Sequence, residues 1–378
     1  MALLHSFTSI SKKVLTSTSV LLLGAALFAC LIEASLRLVG YGSVSTIAYG
    51  RDHYHPDLPD LGYAGRPNLY GIQTREGVSE VRFNSHGFHD FELIPRKDPN
   101  AFRLIVFGNS YTMAHQVSRE NTYVARLQSE METCSALKHR KIQTINLAVD
   151  GYTAHQHYIL LRDYGLSLTP DLILMQVNDF ALPGDIDPTS NFSPRVVALD
   201  GNVEIDRSYV SLPGYRRRAS KFASFIQSLS DRSRLLQYVL EYRRRGNLFS
   251  EPVEPEGTAK VSTQLEPDRD IAIEKFDELV RSSGLKWFLT ITPRADSTSF
   301  GSLQNTPIKD RWLRIAKRQN VPLIDVENEA REDVLATKKF LHGFGTSGAP
   351  AHLNRNGHAL FARALSTHLC RELQDHLP

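Results

Sequence analysis

The sequence predicts an α/β protein: a three-layer α/β/α sandwich around a parallel five-stranded sheet, with an N-terminal transmembrane helix ahead of it. Three observations support this. Five short apolar runs alternate with helical stretches along the 378 residues. The first three of those runs each stop at a turn bearing Gly, Asn or Asp. A longer apolar run, Val14 to Ile32, precedes them all. Strands alternating with helices argue for parallel pairing with helices on both faces.

The N-terminal run is preceded by Lys12-Lys13 and followed by Glu33 and Arg37. Its strongest part, Val20 to Ile32, is short against the ~20 residues a spanning helix needs. A cleaved signal peptide is therefore the alternative. No small-x-small cleavage site stands out, and the Phe in Leu27-Phe-Ala-Cys30 makes a poor lipoprotein signal. The apolar pattern continues through Leu36-Arg-Leu-Val-Gly40, as expected of an uncleaved anchor. The lysines place the N-terminus inside and the rest of the chain outside the cytoplasm. The expected organisation is a cytoplasmic tip and anchor (or signal segment) at 1–40, a lead-in at 41–100, and the α/β domain at 101–378 with an insertion at 180–270.

The first strand is Arg103-Leu-Ile-Val-Phe107, closed by Gly108-Asn109-Ser110. A serine where a buried strand meets a helix is held on a tight turn, with its hydroxyl above the sheet. The bland reading is a turn and helix-cap serine. A helix near Tyr123–Met131 follows, then the second strand in Thr144-Ile-Asn-Leu-Ala-Val-Asp-Gly-Tyr-Thr153. Gly151 there would let a backbone N–H approach a reacting oxygen. After a helix near Gln156–Tyr164 comes Pro170-Asp-Leu-Ile-Leu-Met-Gln-Val-Asn-Asp179, where Asn178 offers a side-chain amide. Helices near Ile271–Ser283 and Arg311–Gln319 accompany strands at Trp287–Thr292 and Val321–Asp325. His352-Leu-Asn-Arg-Asn-Gly-His358 precedes the last helix. Singly, Gly151 is a turn glycine, Asn178 a cap and His352 a surface histidine. Together they supply a nucleophile, a general base and oxyanion donors at strand ends of one α/β pattern. A flavodoxin-like order would put these strand ends at one site.

That order of residues resembles the SGNH (GDSL-like) hydrolase superfamily, over roughly residues 68 to 372. The family's Gly-Asp-Ser block matches Gly108-Asn109-Ser110, its second-block glycine Gly151, and its Gly-x-Asn-Asp block Gln176-Val177-Asn178-Asp179. Its histidine block matches His352. Asn84-Ser-His-Gly-Phe-His-Asp90 looks like the lead-in of membrane-anchored members. The resemblance implies acyl transfer: His352 takes the proton of Ser110, and Ser110, Gly151 and Asn178 hold the oxyanion. Three positions depart from the pattern. Asn109 replaces an Asp, Gln176 replaces a Gly and would crowd or reshape the site, and Ala349 stands where the family usually has the Asp that orients the histidine. Losing that carboxylate costs on the order of 10⁴ in rate where nothing replaces it. A Ser–His dyad, a backbone carbonyl near Ala349 and an acid from elsewhere are the open alternatives.

Three functions follow by resemblance: an esterase removing O-acyl groups, acetyl above all, from an extracytoplasmic glycan or lipid; an O-acetyltransferase acting on a polysaccharide; and an inactive glycan-binding module. The net charge of +3 with balanced acids and bases suggests no nucleic-acid partner. No Cys/His cluster has zinc-site spacing and no phosphate loop appears, so neither metal nor cofactor is expected. His53, His55, His86, His89 and His115 are scattered. Cys30 lies in the apolar run; Cys134 and Cys370 would sit on helices packed side by side, as a disulfide or as two buried thiols. Arg216–Arg218 and Arg243–Arg245 flank a helical pattern from Ser220 to Tyr242, either a basic flap gripping an anionic headgroup or glycan, or a solvated helix. Glu251–Glu266 reads as a loop.

Overall fold

In a computed structural model of the chain, the described residues are 2–42, 59–73, 76–178, 192–199, 202–249, 270–293, 306–344 and 352–374. The chain divides into two compact units, residues 1–46 with 224–253, and 47–223 with 254–378. The smaller holds helix α1 (Ala2–Leu38). Within α1, Ser17–Leu38 is long and apolar enough to cross a membrane.

The larger unit opens with a hairpin, β1 (Tyr70–Gln73) and β2 (Ser79–Arg82), that the sequence reading does not anticipate. There follow β3 (Ala101–Phe107), the single-turn α2 (Ser110–Met113), α3 (Tyr123–Met131), β4 (Lys141–Asn146), α4 (Ala154–Asp163) and β5 (Leu172–Val177). A second hairpin, β6 (Arg195–Leu199) and β7 (Asn202–Asp206), leads to α5 (Pro213–Arg218). The helical pattern expected from Ser220 to Tyr242 is two helices, α6 (Lys221–Arg232) and α7 (Arg234–Phe249), broken at Ser233 and belonging from Ser224 onward to the smaller unit. The chain ends with α8 (Ile271–Ser282), β8 (Lys286–Ile291), α9 (Pro307–Gln319), β9 (Leu323–Asp325), α10 (Glu327–Thr337) and α11 (Arg355–Gln374). Glu251–Glu266, His53, His55, Asp179 and Ala349 lie outside the described residues.

The central sheet runs β4-β3-β5-β8-β9, all parallel, which is the flavodoxin-like order. Side chains alternate along each strand, so β3 sends Phe102, Leu104 and Val106 to one core and Ile105 and Phe107 to the other. The first core is closed by α3 and α11 through residues such as Leu127 and Phe361. The second is closed by α4, α8 and α9 through Leu160, Phe276 and Trp312. Three layers result, as expected. Strand β4 begins three residues earlier than the apolar pattern suggests and stops at Asn146. It pairs with β3 alone; Leu147 N–H still donates to the Val106 carbonyl at 2.9 Å, and the apolar Leu147–Val149 is buried past the end of the strand.

Cys134 follows α3 and Cys370 lies in α11, and the two form a disulfide with Cα atoms 5.6 Å apart. It closes a separation of 236 residues, the long-loop case in which a cross-link restrains the unfolded chain most. Replacing both cysteines by serine is expected to lower the unfolding free energy by about 2–5 kcal/mol. Urea titration of the two proteins at one pH checks this; equal midpoints would count against a stabilising role.

Candidate active site

Ser110 is placed by the turn that ends β3. Gly108 admits no side chain: a Cβ there would lie 2.2 Å from Thr112 Oγ1. Asn109 caps α2, its side chain accepting the N–H of Tyr111 at 3.2 Å. The Asn at this position of the motif thus does the local work of a cap without a charge. Thr112 turns inward, donating to Gln176 Oε1 at 2.9 Å and lying 2.8 Å from the Tyr123 hydroxyl. Gln176 in turn donates to Thr292 Oγ1 at 2.5 Å and to the Val177 carbonyl at 2.8 Å. Gln176 is therefore buried beneath the Ser110 turn, tying α2, β5 and the residue just past β8 together. The crowding expected of it is not where its side chain goes.

His352 enters from the other end of the chain. Its backbone is held by the bridge His342–Leu353, with Gly343 N–H donating to the His352 carbonyl at 3.1 Å. Its Nε2 lies 2.8 Å from Ser110 Oγ. Its Nδ1 lies 2.7 Å from Glu76 Oε2, and its backbone N–H donates to Glu76 Oε1 at 2.7 Å. Glu76 sits in the turn between β1 and β2. Of the alternatives to an acid at 349, the structure contains an acid from elsewhere in the chain. Gln116 Nε2 donates to Glu76 Oε2 at 3.3 Å. Gly77, at φ +77°, lets the hairpin close on Phe344: a Cβ there would meet the ring at 2.5 Å. Burial pushes the Glu76 carboxyl up, but its hydrogen bonds to His352 and the charge of that ring outweigh this and hold it below the usual glutamate range. The result is a Ser–His–Glu chain of hydrogen bonds, with the Tyr111 ring 4.6 Å from the imidazole.

Gly151 and Asn178 lie at the ends of the strands flanking β3. Phe107 pairs in register with Met175, so Ser110 and Asn178 stand at equal offsets, three residues beyond that pair. Asn178 is buried and its carbonyl accepts the Trp312 indole N–H at 3.1 Å. Gly151 takes a left-handed φ of +71° in the turn after β4. Among the described residues no group of His, Cys, Asp and Glu is arranged to hold a metal ion. Among the described residues, Glu76 is the member of this hydrogen-bond chain that the sequence does not reveal. It is one of 41 acids, lies 276 residues from His352, and sits in no local pattern that marks it.

Buried histidines brace this scaffold. His358 Nδ1 accepts the N–H of Tyr123 at 3.2 Å and His155 Nδ1 that of Val196 at 3.1 Å, roles open only to neutral imidazole. His157 reaches the Gly108 carbonyl at 3.2 Å and His89 that of Met113 at 2.7 Å. Burial pushes His89, His155 and His157 down to about 4 and His358 to about 3. Burial also pushes Asp90 up to about 7 and Asp270 to about 6. Between pH 6.5 and 4 the unfolded chain holds the four histidine protons that the native state lacks, so their contribution falls as pH falls. The two aspartates act oppositely, because the native state keeps their protons. The net is about two protons, so unfolding free energy is expected to drop on the order of 2–3 kcal/mol from pH 6 to pH 5. Urea midpoints at those two pH values test this, and an unchanged or rising midpoint would contradict it.

No protein-family model and no curated protein matches this sequence. Among solved structures, an acetyl xylan esterase, AlAXEase, is similar over 71% of this chain and 100% of its own, at 15% identity and TM-score 0.35. A two-domain esterase active on acetylated mannans is similar over 74% of this chain and 51% of its own, at 14% identity and TM-score 0.38. An acetylxylan esterase from Geobacillus stearothermophilus is similar over 74% of this chain and 96% of its own, at 13% identity and TM-score 0.37. These likenesses are weak in sequence and in superposition, and the roles assigned below rest on geometry.

Proposed function

We propose that this protein is a serine esterase that removes O-acyl groups from a glycan or lipid ester outside the cytoplasm, held at the membrane by α1. The observation that carries this reading is the unbroken chain Ser110 Oγ–His352 Nε2, His352 Nδ1–Glu76 Oε2, at 2.8 and 2.7 Å. A hydroxyl, a ring and a carboxylate in that order are the working parts of acyl transfer by a nucleophilic serine. Ala349 and Gln176 are the departures that favour an inactive binding module, and Glu76 lies where it can do the work of the carboxylate missing at Ala349.

In the first half-reaction His352 Nε2 takes the proton from Ser110 Oγ, which bonds to the ester carbonyl carbon. The developing oxyanion is held by the backbone N–H groups of Ser110 and Gly151 and the side-chain amide of Asn178. Glu76 stays ionised, accepts a hydrogen bond from Nδ1–H and stabilises the imidazolium. His352 then gives its proton to the departing alkoxide as the C–O bond breaks. In the second half, His352 takes a proton from water, which attacks the acyl-enzyme; the acid leaves and Ser110 regains its proton. The sequence reading and the length of the Ser17–Leu38 helix support the anchor, and the Cys134–Cys370 disulfide suits an oxidising compartment.

Intact-mass analysis after treatment with a fluorophosphonate tests the reading. One adduct is expected, absent from folded Ser110→Ala. A folded wild-type protein that takes up no adduct would overturn it.

A further inference from the structure

Beside α1, within the smaller unit, lies a second feature that the esterase reading does not use. Glu33 of α1 accepts the backbone N–H groups of Arg234 and Leu235 at 2.9 and 2.8 Å, and the Ser233 hydroxyl donates to it at 3.1 Å. Those two N–H groups belong to the first turn of α7 and have no partner within their own helix. Arg37, bonded to Glu33 at 2.7 Å, donates from Nη2 to the Arg232 carbonyl at 2.6 Å, at the last turn of α6. One ion pair on α1 thus caps the end of one helix and the start of the next. The chain leaving α1 packs on the same place. Tyr41 stands edge-on to Tyr238 at 5.6 Å, and a Cβ on Gly42 would lie 2.4 Å from Gln237 Oε1.

The covered stripe of α1 is short. Ala29, Ile32, Glu33 and Leu36, at helical i, i+3, i+4, i+7 spacing, are part-covered, while every side chain from Ser17 to Phe28 is exposed. The α6–α7 junction is therefore clamped to the C-terminal end of the apolar span, where a spanning helix would leave the hydrocarbon. Around the junction, Phe225 is 61% exposed and Tyr242 69%, with Leu229, Tyr238 and Val239 also open. Arg232 and Arg243 are exposed among them. Exposed aromatics interleaved with arginines match the headgroup boundary of a bilayer, apolar on one side and anionic on the other.

We propose that α6 and α7 form an interfacial docking element that lies on an anionic lipid surface beside the anchor, with α1 as its clamp. This rests on the reading of α1 as a membrane-spanning helix. It also requires that α1 be retained, since its removal would uncap both helices. The basic residues about the 220–242 helices then serve lipid phosphates rather than the ester substrate.

The test uses the full chain with Cys30→Ala, reconstituted in vesicles, with a fluorophore on single cysteines at Leu23, Phe225 or Tyr242. Nitroxide lipids labelled near the headgroup or deep in the acyl chain are the quenchers. Deep quenching at Leu23 is expected, with shallow quenching at Phe225 and Tyr242 that rises about twofold when about 30% of the lipid is anionic. Quenching at Leu23 with none at Phe225 and Tyr242 overturns the docking element and leaves the anchor standing. Shallow quenching at Phe225 and Tyr242 without deep quenching at Leu23 supports docking and removes the spanning helix. Silence at all three sites overturns both.

Discussion

Glu76→Gln is expected to lower kcat/KM for ester hydrolysis by about 10⁴ while the protein stays folded. The amide keeps the size of the carboxyl, and its oxygen still accepts one N–H of His352. Its NH₂ group, however, faces a ring nitrogen that must carry a proton when Nε2 is to act as base. The favoured tautomer then places the proton on Nε2, pointing at Ser110, and no carboxylate remains to stabilise the imidazolium. Glu76→Ala should lose as much rate and also melt lower, because the Glu76 carboxylate ties the β1–β2 turn to the His352 backbone. Steady-state hydrolysis of an activated acetyl ester, beside a thermal melt, separates the two effects. A Glu76→Gln protein within tenfold of wild type would reduce the site to a Ser–His dyad.

Ser110→Ala is expected to cost more, on the order of 10⁶ in kcat, because the nucleophile itself is gone. The informative measurement is the double variant. Residues that act as a unit are not additive, so Ser110→Ala with Glu76→Ala should be no slower than Ser110→Ala alone. The residual rate in both proteins would come from oxyanion donors and binding, which neither change removes. A double variant slower by the full product of the single losses would mean that Glu76 works on some step that does not pass through Ser110.

How far the site was legible follows from where its parts sit. Ser110 was readable because strand, glycine, cap and helix are neighbours in sequence, and the structure shows each of them: Ala101–Phe107 as strand, Gly108 close-packed, Asn109 as cap. His352 was readable from the run ahead of the last helix. Cys134 and Cys370 were readable as a candidate pair because both sit at the ends of helices that the βα order places on one face. Whether glutamine in place of glycine at 176 crowds or reshapes the site is not written in the sequence, which carries no rotamer; its bonds to Thr112 and Thr292 turn it into the core. The β1–β2 hairpin was not read at all, being two four-residue strands with weak alternation in a polar stretch.

Alternation of apolar runs with helical stretches determined by itself that this chain builds a parallel sheet in three layers, because both periodicities are local and each buries the face it marks. Local chemistry likewise marked which serine stands on the turn after β3 and which histidine precedes the last helix. Only tertiary structure decided which carboxylate meets that histidine, and that a Glu33–Arg37 ion pair in the N-terminal helix caps a pair of helices some 200 residues away. Both depend on contacts between segments far apart in the chain. For such contacts no spacing rule exists, since one acid in a polar loop looks like any other until the fold brings its partner to it.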